Sequence, residues 1–281
     1  MPVIEVKNLT SVYCQGTSYE RKSLSSVSFA VEKGDVLGIV GENGSGKSTL
    51  IKHFNGLLNP TSGSVTVLGK DTSNKAERNE LWKKVGMVFQ FPEQQLFEDT
   101  VFNEIAYGLK NLGKSSDEIP GIVKDALAKV GLGNESIENI SPLCLSGGIR
   151  RRAAIACILA MKPEILILDE STAGLDLTGR EKILDIIKEI KKDKNTTIII
   201  VSHNLSELIS VCSHIAVLKD GNLISYGKTR DVLSNKHVQD TCPKIFPDYI
   251  QLIHRLSKKF NNINTGSINI KEAEDELDKL L

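Results

Sequence analysis

Residues 41–48 have the types and spacing of a phosphate-binding loop. They run Gly-Glu-Asn-Gly-Ser-Gly-Lys-Ser and match the pattern G-x-x-x-x-G-K-[ST] at every fixed position. Glycines let successive backbone N–H groups turn onto phosphate oxygens, and a helix starting at the loop adds a partial positive charge. In this pattern Lys47 contacts the β- and γ-phosphates and the hydroxyl of Ser48 holds Mg²⁺. The residues that we predict to bind a nucleoside triphosphate here are Gly41, Asn43, Gly44, Ser45, Gly46, Lys47, Ser48 and Thr49.

An aliphatic segment that ends in two acids supplies the second half of such a site. Residues 165–170 run Ile-Leu-Ile-Leu-Asp-Glu, which puts Asp169 at the end of a buried strand and Glu170 directly after it. Asp169 is expected in the Mg²⁺ shell, and Glu170 is suitably placed to polarise the attacking water. Two acids at a strand end are ordinary on their own. Together with the loop at 41–48 they predict an enzyme that hydrolyses a nucleoside triphosphate.

The elements that must position these residues alternate between strand and helix. Short apolar runs predict strands at Val36–Val40, Val85–Phe89, Ile165–Leu168 and Thr197–Val201. Fully aliphatic runs of this kind are typical of strands buried on both faces of a parallel sheet. The phosphate loop follows the first of them and precedes a helical pattern, which is the context that the motif requires. The helix between the last two strands is predicted to start at Thr178, with Glu181 completing a capping box.

Two further regions complete the predicted organisation. Residues of about 99–160 are mostly helical in pattern and interrupt the α/β core as an inserted subdomain. Beyond about residue 235, prolines break the chain and amphipathic patterns predict helices near 248–260 and 270–281. We therefore expect a nucleotide-binding domain over 1–235 and a helical extension over 236–281. The apolar stripes of the extension are Tyr249, Ile253, Leu256 and Phe260, then Ile270, Ala273, Leu277 and Leu280.

A third motif, Leu145-Ser146-Gly147-Gly148, precedes the acidic strand end. Together with the phosphate loop and Asp169-Glu170, it resembles the signature of the ATP-binding-cassette (ABC) family, and the resemblance covers residues 1 to about 235. It implies an α/β P-loop NTPase with an antiparallel β subdomain and an inserted α-helical subdomain, to which the C-terminal helices are added. It also implies that ATP and Mg²⁺ are bound between two subunits arranged head to tail. The phosphate loop of one subunit then faces Ser146, Gly147 and Gly148 of the other.

Four single residues take a role only through this resemblance. Gln90 resembles the family's Q-loop glutamine, which reaches the metal and the reaction centre, and His203 resembles its switch histidine. Asp176 lies in a segment similar to the D-loop, and Tyr13 is similar to the aromatic residue that stacks on adenine. A lone histidine, glutamine or tyrosine is more often structural or solvated. Their order along the chain relative to Glu170 is what favours the functional interpretation.

A finer resemblance is to the ATPases of energy-coupling factor (ECF) transporters, and of their two ATPase types to the second. It is carried by residues 53–58 (His-Phe-Asn-Gly-Leu-Leu), 91–98 (Phe-Pro-Glu-Gln-Gln-Leu-Phe-Glu) and 105–111 (Ile-Ala-Tyr-Gly-Leu-Lys-Asn), and by an insertion at 16–22. This family imports vitamins, cobalt or nickel. The implied partners are a paralogous ATPase, or a second copy, with a transmembrane coupling subunit and a substrate-binding membrane subunit. The implied location is the cytoplasmic face of the cell membrane, as a peripheral protein.

The resemblance also implies where a membrane subunit docks. Residues 90–98 are polar with apolar anchors, which suits a groove that receives a helix. We expect Glu93 and Glu98 to pair with an arginine on that helix. The resemblance further implies that the C-terminal helices join the two ATPases between ATP cycles. The alternative is that their apolar stripes pack on the subunit's own core.

Two positions depart from the ABC pattern. Ile149 stands where the signature has glutamine, and Ser171 stands where proline follows the catalytic glutamate. Hydrolysis is still expected because the catalytic and metal-binding residues are all present. A weakly hydrolysing regulatory partner is one alternative function. A non-transport ABC ATPase in cofactor assembly or nucleic-acid work is another.

Composition narrows these alternatives. The chain has 281 residues with Lys plus Arg equal to Asp plus Glu, so the formal net charge is zero. A duplex-binding protein usually carries an excess of basic residues. The net charge of this chain shows no such excess, which disfavours nucleic acid as a partner. The five cysteines have spacings that fit no zinc site. No apolar run approaches the ~20 residues needed to cross a bilayer, so we expect any link to a membrane to pass through a partner.

Overall fold

Ten strands and eleven α-helices form within residues 2–133, 136–260, 263 and 269–278, the part of the chain described by the computed structural model. The strands are β1 (Ile4–Tyr13), β2 (Arg21–Val31), β3 (Val36–Val40), β4 (Ser62–Val67), β5 (Lys70–Asp71), β6 (Val85–Val88), β7 (Ile165–Asp169), β8 (Thr197–Val201), β9 (His214–Lys219) and β10 (Asn222–Lys228). The helices are α1 (Lys47–Phe54), α2 (Lys75–Arg78), α3 (Val101–Asn111), α4 (Ile119–Lys129), α5 (Gly147–Ala160), α6 (Leu177–Lys192), α7 (Leu205–Val211), α8 (Thr229–Ser234), α9 (Lys236–Thr241), α10 (Asp248–Ser257) and α11 (Ile270–Asp278).

A six-stranded sheet in the order β10-β9-β3-β8-β7-β6 carries the predicted strands. Its strands pair in parallel except for β10, which forms an antiparallel hairpin with β9. Alternate residues of each strand enter different clusters. Leu37 and Ile39 pack on one face, and Val36 and Val40 on the other. Because both faces of β3, β6, β7 and β8 are buried, these four strands are apolar at almost every position, and the sequence prediction of their type and position is confirmed.

The antiparallel β subdomain is a four-stranded sheet in the order β2-β1-β4-β5. Its core residues, such as Ile4 and Val65, share a cluster with Leu37 and Ile39, so this subdomain covers one face of the large sheet. Strands β1, β4, β5, β9 and β10 were not located from sequence. The segments of β1, β4, β5 and β10 mix polar and apolar residues, since such strands are only partly buried. Strand β9 was missed although its residues 215–218 are apolar and buried on both faces.

The predicted helical region at 99–160 consists of α3, α4 and α5. Helix α5 packs against both α3 and α4, and its alanines allow close approach of the neighbouring helices. Helix α6, in contrast, does not begin where the sequence indicated. Asp176 is its N-cap, and the Asp176 carboxylate accepts a hydrogen bond from the Gly179 N–H at 2.9 Å. The predicted start at Thr178 is therefore wrong.

The C-terminal helices contribute to two different apolar clusters. Ile245, Phe246 and Ile250 are buried in the main cluster of the large sheet and the helical region. Ile253 instead packs with Ala273 of α11 in a small separate cluster. The two predicted stripes thus meet each other within the chain, while Leu280 lies outside the described residues. Among the described residues of this region, the large apolar side chains Leu252, Phe260 and Ile270 are exposed, so Phe260 and Ile270 of the predicted stripes do not pack in this cluster.

Candidate nucleotide-hydrolysis site

The proposed catalytic segments meet because four neighbouring strands end at the same edge of the sheet. Strands β3, β8, β7 and β6 are consecutive neighbours and parallel. The phosphate loop follows β3, His203 follows β8, Glu170 follows β7 and Gln90 follows β6. In open α/β sheets this carboxyl edge is where ligands bind. The topology therefore brings together residues that are far apart in sequence.

Two glycines of the phosphate loop are required by space and backbone conformation. A Cβ at Gly41 would lie 2.3 Å from the Leu218 carbonyl oxygen, which leaves no room for a side chain. Gly46 has φ 101°, and a Cβ there would lie 2.7 Å from the Ser23 carbonyl oxygen. These glycines hold the loop tightly against β2 and β9, so its backbone N–H groups are held at the start of α1.

Lys47 is buried and folds back onto its own loop. Its Nζ donates hydrogen bonds to the Gly41 and Glu42 carbonyl oxygens at 2.8 and 3.0 Å. Burial lowers the pKa of Lys47, while the nearby Glu170 and Asp169 carboxylates oppose that shift. The ammonium group thus sits between the loop and the acids, where a phosphate oxygen can replace the carbonyl acceptors.

Asp169 and Ser48 form a pair of oxygen ligands next to Lys47. Asp169 is buried, and the Ser48 hydroxyl lies near its carboxylate. Burial and the adjacent Glu170 raise the pKa of Asp169, and the Ser48 hydroxyl partly offsets this. Mg²⁺ prefers oxygen ligands and relies on few protein groups beside water and phosphate. The Ser48 and Asp169 side chains therefore fit a magnesium ion.

Glu170 contacts both of the side chains that the sequence placed beside it. The Gln90 Nε2 donates a hydrogen bond to Glu170 Oε2 at 3.0 Å, and His203 Nδ1 lies 3.6 Å from Glu170 Oε1. Glu170 has φ 47°, a left-handed conformation that is uncommon for a non-glycine residue. Its backbone is held by the Glu170 N–H to Val201 carbonyl bond of 2.9 Å. The carboxylate is therefore aimed by a constrained turn rather than by a flexible loop.

An open cleft of about 500 Å³ lies over these groups. Tyr13 borders the cleft, and its hydroxyl lies 3.2 Å from the Thr49 hydroxyl, which in turn lies 2.7 Å from that of Ser23. Arg21 and Ser23 also line the cleft, and the sequence analysis did not select either of them. The insertion at 16–22 was the available signal, because it contains Arg21 and ends directly before Ser23. The described residues that line the cleft are Tyr13, Arg21, Ser23, Asn43, Gly44, Gly46, Lys47, Ser48, Thr49, Gln90 and Glu170.

The signature segment does not line this cleft. Ser146 is exposed and forms the N-cap of α5. Apart from neighbouring residues of the same helix, no heavy atom of the described residues lies within 4 Å of a Cβ added at Gly147 or Gly148, so the helix start is open to an approaching ligand. Asp176, predicted to contact nucleotide, is occupied as the N-cap of α6. Ile149 packs partly buried against the main apolar cluster, which explains why an apolar side chain is tolerated there.

The Glu93 carboxylate is bound within the chain. Arg151 Nη2 lies 2.7 Å from Glu93 Oε1, and the Glu93 side chain is only 15% exposed. The expectation that Glu93 pairs with an arginine of a membrane subunit is therefore not met, because its carboxylate already has a partner. This contact could not be predicted from the sequence, because the two residues are 58 positions apart.

The chain is similar to proteins of one family along its whole length. The ABC transporter family model matches residues 24–173. The energy-coupling factor transporter ATP-binding protein EcfA2 of Acetivibrio thermocellus is 42% identical over 99% of this chain and 98% of its own length. The EcfA2 protein of Clostridioides difficile is 41% identical over 99% of this chain and 97% of its own length. The chain belongs to the energy-coupling factor transporter ATP-binding proteins of the ABC transporter family.

Solved structures agree with this family. CbiO1 from Clostridium perfringens, part of the ABC transporter complex cbiONQ, superposes on the ECF chain with a TM-score of 0.75 and 33% identity. The match covers 92% of this chain and 99% of that one. The dimeric ATP-binding cassette MJ0796, bound to ADP and Pi, gives a TM-score of 0.71 and 30% identity over 80% of this chain and 98% of that one. The predicted fold class is thereby confirmed.

Membership of this family establishes the general function of the ECF ATPase. The chain is an ATP-binding ATPase subunit of an ABC transporter, as the sequence predicted. None of its described helices is both long enough and apolar enough to span a bilayer.

Proposed function

We propose that this chain is the ATP-hydrolysing subunit of an ECF-type importer of vitamins or of cobalt or nickel ions, acting on the cytoplasmic face of the cell membrane. The observation that carries the proposal is the position of Glu170. Its carboxylate is held between Gln90 and His203, beside the Lys47 and Asp169 side chains. That arrangement combines phosphate binding, metal binding and activation of water at one edge of the sheet.

The proposed reaction uses these groups in distinct roles. Backbone N–H groups of 41–48 and the Lys47 ammonium bind the β- and γ-phosphates, and Tyr13 stacks on the adenine. Ser48, Asp169 and Gln90 would hold Mg²⁺, which would supply positive charge to neutralise the phosphates. Glu170 orients a water for attack on the γ-phosphorus and accepts its proton, while the bond from that phosphorus to the β–γ bridging oxygen breaks and ADP leaves with inorganic phosphate as the other product. His203 contacts the Glu170 carboxylate and stabilises the γ-phosphate. The position of Gln90 then depends on whether nucleotide is bound.

The position of the signature segment outside the cleft supports an ATP site shared between two subunits. Ser146, Gly147 and Gly148 do not line it, and the helix start that they form is open. When a second ATPase is placed head to tail, the backbone N–H groups of its own signature segment reach the γ-phosphate bound in this cleft. Asp176 then lies near the junction between the two sites. We propose a paralogous ATPase as the second subunit, with a second copy of this chain as the other possibility.

The membrane partners dock beside the Gln90 loop in this proposal. Phe97 is 66% exposed and packs edge-to-face with Tyr107, at 5.1 Å between ring centroids. This exposed aromatic pair suits the apolar side of a helix from a transmembrane coupling subunit. Substrate choice then belongs to a separate substrate-binding membrane subunit. No nucleic acid takes part.

The domain division proposed from sequence assigns residues 1–235 to nucleotide chemistry and 236–281 to pairing of the two ATPases. The exposed side chains Leu252 on α10, Phe260 shortly after it and Ile270 at the start of α11 support pairing, because each leaves apolar surface open to solvent. A contact away from the nucleotide keeps the subunits together when the composite sites open.

Recovery of the tagged chain from detergent-solubilised bacterial membranes tests the proposal. We expect a second ABC ATPase and at least one polytopic membrane protein in the complex. We also expect ATP-dependent uptake of a vitamin or metal ion that is lost in Glu170→Gln. Recovery with soluble partners or nucleic acid and no membrane protein would indicate a non-transport ABC ATPase. A complex whose ATPase rate is unaffected by Glu170→Gln would indicate a regulatory partner.

A further inference from the structure

Arg151 forms a buried, doubly hydrogen-bonded ion pair with Glu93. The Arg151 Nε and Nη2 atoms donate to Glu93 Oε2 and Oε1 at 2.9 and 2.7 Å. The Arg151 side chain is 4% exposed. Planar guanidinium groups that bind a carboxylate with two parallel bonds fix both position and orientation. The contact therefore fixes helix α5 to the loop that follows β6.

The same guanidinium reaches a second loop. Arg151 Nη1 donates to the Ser171 and Ala173 carbonyl oxygens at 3.2 and 2.5 Å. These carbonyls belong to the turn directly after Glu170. The Phe91 ring also faces the guanidinium, at 5.7 Å from its centroid. One side chain thus joins the segment after Gln90, the turn after Glu170 and the helix that starts at the signature motif.

These contacts constrain the hydrogen bond at the centre of the site. Gln90 and Glu170 lie at the ends of β6 and β7, and their side chains are 3.0 Å apart. Arg151 binds the loop just after Gln90 and the loop just after Glu170, so the distance between these two loops depends on Arg151. Arg151 also lies about one turn into α5 after Ser146, so motion of the signature helix reaches both loops.

We propose that Arg151 is a positioning residue for ATP hydrolysis, which couples the signature helix to the spacing of Gln90 and Glu170. The inference rests on the proposed role of Glu170. A misplacement of about 1 Å at a reacting group can cost roughly 10²-fold in rate. Loss of the Arg151 contacts therefore lowers kcat while ATP affinity, which depends on residues 41–48, is kept.

The alternative is that Arg151 only stabilises the fold. Removing one partner of a buried ion pair is destabilising whatever its role, so stability alone decides nothing. Arg152 provides a matched control on the same helix. It is similarly buried and donates to the Val130 and Gly131 carbonyl oxygens, at 3.2 and 2.9 Å, away from Gln90 and Glu170.

The test compares Arg151→Lys, the double variant Arg151→Met with Glu93→Gln, and Arg152→Lys in the assembled ATPase complex. Lysine keeps the charge but carries its three donors on one nitrogen, so it cannot reproduce the two parallel bonds to Glu93 together with both carbonyl contacts. The double variant removes both charges, so no unpaired charge is buried. For each, kcat, the ATP dissociation constant and the urea midpoint are measured. Glu93→Gln alone is the milder variant, since it leaves Arg151 bound to both carbonyls.

We expect kcat to fall roughly 10- to 100-fold in both Arg151 variants, with an unchanged ATP dissociation constant. Arg152→Lys should lower the urea midpoint without this loss of kcat. Wild-type kcat in Arg151→Lys and the double variant would overturn the inference, as would an equal loss in Arg152→Lys. If the Arg151 variants do not fold, an unchanged kcat in Glu93→Gln overturns it. Full activity of Glu170→Gln in the same assay would instead remove the proposed function.

Discussion

The Glu207 carboxylate accepts a hydrogen bond from the Thr172 hydroxyl at 2.8 Å, across 35 residues of sequence. The same carboxylate accepts from the Ser202 hydroxyl at 3.2 Å, and Arg180 Nε lies 3.1 Å from it. Glu207 is buried. It therefore holds the turn after Glu170 to the loop that carries His203.

We expect Glu207→Ala to destabilise the fold, because it leaves the buried Thr172 and Ser202 hydroxyls without their acceptor and the Arg180 charge without its ion-pair partner. The free energy of unfolding should fall by about 2–4 kcal/mol. Urea titration measures this. Glu189→Ala is the matched control, since Glu189 pairs with Lys192 on the exposed side of α6 and should change stability by less than about 0.5 kcal/mol. Equal midpoints for the two variants would show that the buried network contributes little.

Glu170→Gln should abolish turnover and keep ATP binding. The amide oxygen can still accept from Gln90, but an amide cannot take a proton from water, and loss of a general base costs ~10²–10⁴-fold in kcat. Phosphate release and ATP titration measure the two quantities separately. Glu164→Gln, at the other end of β7 and in an exposed pair with Lys84, should behave as wild type. Unchanged phosphate release in Glu170→Gln would reject the assignment.

Lys47→Ala should weaken ATP binding itself. The substitution removes the cation that faces the β- and γ-phosphates in a loop whose other donors are neutral N–H groups. The lost bonds to the Gly41 and Glu42 carbonyls also loosen the loop before the nucleotide arrives. Isothermal titration with ATP measures the effect, with exposed Lys75→Ala as the control. A dissociation constant equal to that of the control would contradict the role of Lys47.

His53 should make the stability of the fold depend on pH. The ring is fully buried and Nδ1 lies 3.1 Å from the Leu58 carbonyl oxygen, so Nδ1 carries the proton and Nε2 is left without a partner among the described residues. Burial lowers the pKa of His53 to about 4. In the unfolded chain the His53 ring gains a second proton near pH 6.5, whereas in the folded chain it does so only near pH 4. Stability is therefore full above pH 6.5 and is lost as pH falls toward 4.

The test is urea unfolding at pH 7 and pH 5. Wild type should lose about 2 kcal/mol more than His53→Gln between these values, because glutamine can donate to Leu58 but does not titrate. Exposed His237→Gln serves as the control and should follow wild type. Parallel losses in wild type and His53→Gln would show that the fold tolerates the protonated ring.

The role of the C-terminal helices in pairing is best tested on their surface. Truncation near Lys244 removes Ile245, Phe246 and Ile250, which belong to the main apolar cluster, so loss of folding would confuse the result. Substituting exposed Leu252, Phe260 and Ile270 together by aspartate leaves that cluster intact and should prevent pairing without nucleotide, as measured by light scattering.

Lys244→Asp is the control for added charge at an exposed position of the same region. It should pair as wild type does. Normal pairing of the triple variant in the absence of ATP would show that the helices serve only their own subunit.

Contiguous motifs and aliphatic runs were sufficient to predict the α/β class, the phosphate loop and the Asp169-Glu170 strand end. Each of these signals depends on neighbours in sequence, because a loop binds phosphate through consecutive N–H groups and a strand buried on both faces is apolar at every position. The start of α6 was misjudged because Asp176 and Thr178 are both good N-cap residues, and only the backbone path decides between them.

Tertiary structure alone decided which distant side chains meet. Arg151 with Glu93, and Glu207 with Thr172, are pairs separated by 58 and 35 residues, with no periodic or motif signal to connect them. The strand order β3-β8-β7-β6 sets these contacts, and that order depends on packing of the whole sheet. The chain's sequence therefore determined the chemistry available at the ATP site. The fold determined which buried groups hold that chemistry in place, because a buried charge is stable only where the fold supplies a partner for it.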